Sequence, residues 1–199
     1  GRPVPSVTQV LGDLLPGYRA SDWYLQRGRA VHACAALIAK GIAFEHAREL
    51  NRLWHSKLPR LGTGFCSKMN SYVCYSAVFQ GMSYAVAIWS HPVARNLPQH
   101  TCLELRRLAV SPERPANTCS WMLGAMTRLL RRRLPHIERL ISYQIIGEHS
   151  GTIYKAAGWK ETAINLDGGW DRPGRSRPKA QCMGAKRRWE KVLRQSEKS

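Results

Sequence analysis

The sequence predicts an α/β fold, and three stretches carry that expectation. Residues 71–79 and 82–89 are runs rich in β-branched and aromatic side chains, joined by Gln80-Gly81. A two-residue connection with glycine second is a hairpin signal. Residues 117–134 place Cys119, Met122, Met126, Leu129 and Leu130 at helical spacing. Residues 139–159, RLISYQIIGEHSGTIYKAAGW, read as a strand over 140–146 that stops at Gly147. A short helix follows through Ile153, Tyr154 and Ala157, with Ser150 placed to cap it and Gly158 to end it in the left-handed conformation. Many α/β enzymes build a site where a polar strand end runs into a helix like this. A plain strand–turn–helix with a buried tyrosine meets the same spacing.

Taken in order, residues 6–15 and 21–40 read as two short helices in an N-terminal appendage, 1–43. Residues 44–54 carry apolar side chains at 44, 47, 50, 53 and 54, a helical stripe that ends at His55. A basic loop with glycine and proline, 57–64, leads to the hairpin, and a further loop, 90–95, leads to a third strand at 103–110. On that strand Glu104 and Arg106 share a face, where buried charges would need each other or a ligand. A loop with two prolines, 111–116, precedes the 117–134 helix, which Asn117 or Thr118 can cap. Exposed N–H groups at such a start attract a phosphate. After Trp159 the chain is turn-rich and basic, and 186–191 reads as a short helix in a tail, 170–199.

The 199 residues hold 31 Lys+Arg against 13 Asp+Glu, a formal charge of +18. That excess predicts a polyanionic partner, because each neutralised phosphate releases counterions. In the tail, basic residues interleave with Trp170 and Trp189, a pattern suited to a DNA backbone and an extruded base. A solubilising tail is the blander reading. The six cysteines form no CxxC pair, so a zinc ribbon is not expected and reduced thiols are. No run approaches the roughly 18 apolar residues of a membrane span, and no secretory signal is visible, so no membrane partner and a cytoplasmic location are expected.

Particular motifs carry a resemblance. Tyr154-Lys-Ala-Ala-Gly-Trp159 resembles the Y-x-x-x-G-F segment of GNAT-type acyltransferases, where the tyrosine sits beside the thioester sulfur. The strand LELRRLAV at 103–110, followed by Ser111-Pro112, resembles the strand before that superfamily's phosphate loop. More closely, the run from Trp54 to Trp159 is similar to the Mom family of phage DNA-modifying proteins. The shared pieces include NRLWH at 51–55, PVAR at 92–95, the 103–110 strand and NTCS at 117–120. That family is GNAT-like and converts the adenine N6 amine of phage DNA to a carbamoylmethyl derivative that blocks host restriction. The opening of the chain, PSVTQVL at 5–11 and RGRAVH at 27–32, also resembles the start of phage RecB-like nucleases. The carboxylates of that nuclease core are missing, since the only aspartates are 13, 22, 167 and 171. His32 is therefore read as structural.

The resemblance implies a GNAT-like domain over 44–169: a twisted, mixed, mostly antiparallel sheet flanked by helices. A V-shaped opening between strands 103–110 and 140–146 would hold the donor. It also implies roles. Tyr154 becomes the acid at the leaving group or a metal ligand, and His55 a base or metal ligand. Gln144 stands where the Mom family commonly has an aspartate, and an amide can only orient a base or a metal-bound water. Glu104 is the strongest carboxylate candidate for a base, with His149 behind it. Leu108, Val110, Asn117, Thr118 and Ser120 would line the donor. Arg95, Arg172, Arg175, Arg177, Lys186, Arg187 and Arg188 would meet the phosphates of double-stranded DNA. The donor would be a CoA thioester or an aminoacyl conjugate. Glycines usual in the phosphate loop are replaced here by PANTCS at 115–120, and Ser56 stands where the family often has an aromatic. Iron is the metal the family points to. A neutral Gln144 and Ser56 predict that any such site is weak or absent. A homodimer is among the assemblies compatible with the chain. Other functional readings are a non-catalytic basic DNA-binding module and an N-acetyltransferase acting on a protein or small amine.

Overall fold

The computed structural model describes residues 37–58, 60–61, 72–165 and 184–194. The expected helices before residue 37, with His32, lie outside the described residues, as do Trp170, Arg172, Arg175 and Arg177. In chain order the elements are β1 (Ile38–Gly41), α1 (Phe44–Trp54), β2 (Val73–Phe79), β3 (Met82–Ser90), β4 (Cys102–Val110), α2 (Thr118–Arg133), β5 (Arg139–Ile145), α3 (Thr152–Ala156), β6 (Lys160–Asn165) and β7 (Lys186–Val192). The strands form one seven-stranded sheet in the order β1-β2-β3-β4-β5-β7-β6. β4 and β5 run parallel, and the other neighbours are antiparallel. The expected mixed, mostly antiparallel sheet flanked by helices is the fold observed.

Local chemistry explains the elements that were foreseen. Gln80 (φ 49°) and Gly81 (φ 80°) make a two-residue turn with both central residues left-handed, which closes β2 onto β3 with the right strand twist. At the end of α3, Gly158 sits at φ 69°. Its N–H reaches Lys155 O at 2.9 Å while the Trp159 N–H reaches Tyr154 O at 2.9 Å, the paired bonds of a Schellman stop.

Three expectations are corrected. Residues 38–41 are not the end of a helix but an edge strand paired with β2. Residues 186–191 are not a tail helix either. They belong to β7, which is inserted between β5 and β6 and pairs with both. Strand pairing on two sides and burial of Trp189 override the helical leaning of a short charged run. The helix caps also differ. Ser150 bonds the Thr152 hydroxyl at 2.7 Å, and the residue entering α3 is Gly151 at φ 75°, with no side-chain cap. Neither Asn117 nor Thr118 caps α2: Asn117 gives no cap bond, and the Thr118 hydroxyl donates to Pro115 O at 2.7 Å.

The sheet is packed on both faces. On one side α2 and α3 cover the larger core, which includes Trp89, Leu103, Leu105, Met122, Met126 and Leu140. On the other, α1 covers a smaller core through Ala47 and Leu50 against Cys74, Val86, Ile88 and Ala109. At about 25 cal/mol per Å² of apolar surface, this double burial is the main stabilising term.

Candidate active site

β4 and β5 pair from Cys102 with Arg139 to Leu105 with Ser142, and there the ladder stops. Both strands continue, each held along its other edge, β4 by β3 and β5 by β7. The sheet therefore opens as a V at Leu105 and Ser142, between the two strands named from the sequence.

Tyr154 sits at the point of that V. Its hydroxyl and the Ser142 hydroxyl are 2.8 Å apart in a buried hydrogen bond. Its ring stacks on Trp189, with centroids 5.2 Å apart and planes 9° from parallel, and meets Trp159 edge-on at 5.7 Å. Burial raises the phenol's pKa, opposed by the Ser142 bond and assisted by nearby Cys119. The group is thus held protonated, as an acid must be before it gives up its proton. Gln144 builds the wall beside it. Its Oε1 accepts the Trp189 indole N–H at 2.7 Å, and its Nε2 donates to His149 O. A Cβ at Gly151 would come within 2.6 Å of Trp189 and 2.8 Å of Gln144, so only glycine fits there. Trp189 is 2 % exposed, which withdraws it from the role of stacking on an extruded base.

Successive strand residues face opposite ways, so Tyr143 points away from the Ser142 and Tyr154 side. On its face lies a band of charged groups across β4, β5 and β7. Glu104 is buried; its Oε2 accepts the Val93 N–H at 2.9 Å and its Oε1 lies 3.4 Å from Arg106 Nε. The sequence expectation that Glu104 and Arg106 answer each other is met. Burial raises the carboxyl's pKa, against the pull of the Val93 bond and of Arg106, Arg107 and Lys186. A raised carboxylate is a stronger base. Arg188, opposite Tyr143 in the ladder, bonds Thr162 Oγ1 at 3.2 Å and pairs with Glu190 at 2.9 Å. The placement of Tyr143 near both Glu104 and Arg188 was missed in the sequence, because Arg188 lies far along the chain and reads there as a phosphate contact of the tail. The period of two from Ser142 was the available signal.

His55 stands at the mouth. Its Nδ1 accepts the N–H groups of Lys57 (3.3 Å) and Leu58 (3.1 Å). Desolvation, then the charges of Arg107 and His149, lower its pKa to about 4. The ring is therefore neutral, with Nδ1 used as acceptor and the proton on Nε2, which makes it a donor rather than a base. His149 is exposed on the loop after β5, and Lys57 reaches Glu148 of that loop at 2.8 Å. The residues do not fit a metal held by His55 and Tyr154. The histidine's lone pair and the phenol oxygen are both committed to hydrogen bonds, and among the described residues no three His, Cys, Asp or Glu side chains cluster as ligands.

On the donor side, Leu108 and Val110 are partly buried against the α2-side core. Asn117 adopts the left-handed conformation (φ 65°) that a glycine usually supplies in such a loop. The Thr118 and Ser120 hydroxyls donate back to Pro115 O and Asn117 O. An anion at this helix start would therefore meet main-chain N–H groups. Of the described basic residues, Arg95 is exposed, while Arg187 pairs with Glu161 at 3.0 Å and Lys186 lies beside Arg187 on β7.

Comparison with solved structures gives this architecture a family of folds. An acetyltransferase of Bacillus subtilis in complex with CoA superposes with a TM-score of 0.55 at 12% identity, covering 78% of this chain and 98% of that one. The ribosomal-protein-S18-alanine N-acetyltransferase of Escherichia coli gives 0.55 at 13%, over 80% and 96%. A GNAT family acetyltransferase of Elizabethkingia anophelis with acetyl-CoA bound gives 0.52 at 10%, over 79% and 98%. The fold is that of the GNAT acetyltransferases. Within this GNAT frame, the model of the Mom protein family matches residues 74–168, just under half of the chain. The match spans β2 to β6 and takes in Glu104, Ser142, Gln144 and Tyr154. No curated protein matches the chain in sequence.

Proposed function

We propose that this chain transfers an acyl or carbamoylmethyl-forming unit from a thioester donor to the N6 amine of adenine in DNA. The opening of β4 from β5, with the Tyr154 hydroxyl fixed at its point, is the observation that carries the reading. The match to the Mom model, the fold shared with CoA-bound acetyltransferases and the charge of +18 support it.

The donor would enter the V with its phosphates toward the start of α2 and its thioester beside Tyr154. The exocyclic amine is a weak nucleophile because its lone pair is shared with the ring, so alignment supplies much of the catalysis. Nitrogen attacks the thioester carbonyl, a C–N bond forms and the C–S bond breaks. The proton lost by the amine passes to Glu104, and the departing thiolate takes its proton from Tyr154. His55 contributes an Nε2–H donor at the mouth, in place of the base expected from the sequence. In a phage-infected cell the modified adenine would shield DNA from restriction.

Mass spectrometry of nucleosides from DNA co-expressed with the protein tests this. A deoxyadenosine derivative of increased mass is expected, with resistance of that DNA to endonucleases that cut at adenine-containing sites. Unmodified deoxyadenosine throughout would sink the reading.

A further inference from the structure

We propose that Tyr143, Glu104 and Arg188 form a reading platform for a 6-aminopurine base, on the sheet face opposite Tyr154. The inference rests on the functional reading above and adds the residues that select the acceptor. Tyr143 is the first residue of β5 beyond the parting from β4, and it lies directly opposite Arg188 on β7. Glu104 is the residue of β4 just before the parting, opposite Ile141. Ile141 and Tyr143 are two apart on β5, so all three side chains share one face within two rows of the ladder. Tyr143 is half-buried, with Glu104 and Arg188 both close enough to act on its hydroxyl.

The chemistry of the three groups is complementary to one edge of one base. Glu104 is a carboxylate whose oxygens take the Val93 N–H and face Arg106, and whose remaining lone pairs can accept an exocyclic N–H. Arg188 is a planar donor; its Nε–H bonds Thr162 beside the Glu190 carboxylate, one further N–H reaches the Tyr143 hydroxyl, and the guanidinium's other N–H groups extend past that ring. An acceptor and a donor side by side match the N6 amine and a neighbouring ring nitrogen of adenine. Guanine reverses that order, presenting O6 to the carboxylate, a repulsive pairing. Tyr143 supplies a flat surface between them for stacking. The acceptor then approaches from this face and the donor from the Tyr154 face, and the two meet where the sheet opens.

The test is equilibrium binding by the full chain to a DNA hairpin with one unpaired adenine, compared with hairpins bearing guanine or an abasic residue there. Wild-type protein should bind the adenine hairpin about tenfold more tightly than either, the scale of one stacked base with an edge contact. Tyr143→Ala should lose the preference over the abasic hairpin, while Tyr143→Phe, which keeps the ring, should retain it. Arg188→Gln should lose the preference over guanine and keep that over the abasic hairpin. Acetyl-CoA affinity, measured by calorimetry on each variant, should match wild type. Equal binding of the three hairpins by wild type, or an unchanged adenine preference in Tyr143→Ala, overturns the platform. Adenine preference without acetyl-CoA binding would uphold the platform and overturn the thioester donor instead.

Discussion

His55 shows how a single side chain changes role once its neighbours are known. As a lone histidine after a helix it reads as a capping or surface residue, and the family resemblance implies a base or ligand; with two backbone N–H groups on Nδ1 it is a neutral donor. Its folded pKa of about 4 lies below the ordinary 6.5, so the unfolded chain binds the proton more readily. The stability this gives is complete above about pH 6.5 and is lost as pH falls toward 4. The melting temperature should therefore drop on acidification across that window, and His55→Gln should flatten the slope; an identical slope in the variant would show the acid sensitivity to lie elsewhere. Tyr154 makes a different demand. Removing its hydroxyl in Tyr154→Phe takes away the proposed acid and leaves Ser142 without its bonding partner. Transfer should slow by ~10²–10⁴, while unfolding free energy falls by only about 1 kcal/mol. Rate measurement beside denaturant unfolding separates the two, and wild-type turnover in the variant would make Tyr154 a packing residue. Tyr154 was legible because its motif is local. The neutral state of His55 was not, since it depends on the turn at 57–58 and on Arg107 from another strand.

At the scale of elements, hydrophobic pattern and turn chemistry located α1, β2, β3, β4, α2, β5 and α3 within a few residues. The Gln80-Gly81 turn and the Gly158 stop did so through backbone geometry that those residue types favour. β1 and β7 were misread, and for a shared reason. IAKG and KRRWEKV lack a clean apolar alternation, and their strand character comes from partners far along the chain. β7 is the more consequential case. A tail would tolerate loss of Trp189, but here that ring stacks on Tyr154 and its N–H satisfies Gln144. Trp189→Ala should cost about 3–5 kcal/mol, the usual range for a fully buried tryptophan, and should disturb Tyr154 as well. Denaturant titration checks the first and donor turnover the second. A variant as stable as wild type would return residues 186–192 to the tail. Truncating the C-terminal basic segment would not isolate DNA binding, because removal of β7 would open the sheet between β5 and β6.

The whole molecule adds its field. The formal charge of +18 is spread over a chain in which several basic groups are already matched within the fold: Arg52 with Glu49, Lys57 with Glu148, Arg106 with Glu104, Arg187 with Glu161, and Arg139 and Arg188 with Glu190. Composition alone could not divide structural cations from those offered to a polyanion, because ion pairing is a property of the folded sheet. Arg95, exposed on the loop after β3, stands on the side offered to solvent. Binding to duplex DNA should weaken as salt rises, with log K falling linearly against log salt at about −0.9 per phosphate neutralised. Arg95→Ala should then reduce the slope by about one contact's worth while leaving thermal stability unchanged. Arg187→Ala should do the reverse, lowering stability through the Glu161 pair with little change in slope. Fluorescence anisotropy across a salt series, run beside thermal melts of both variants, decides the division. An affinity for DNA that does not respond to salt would remove the phosphate backbone as the partner of this charge.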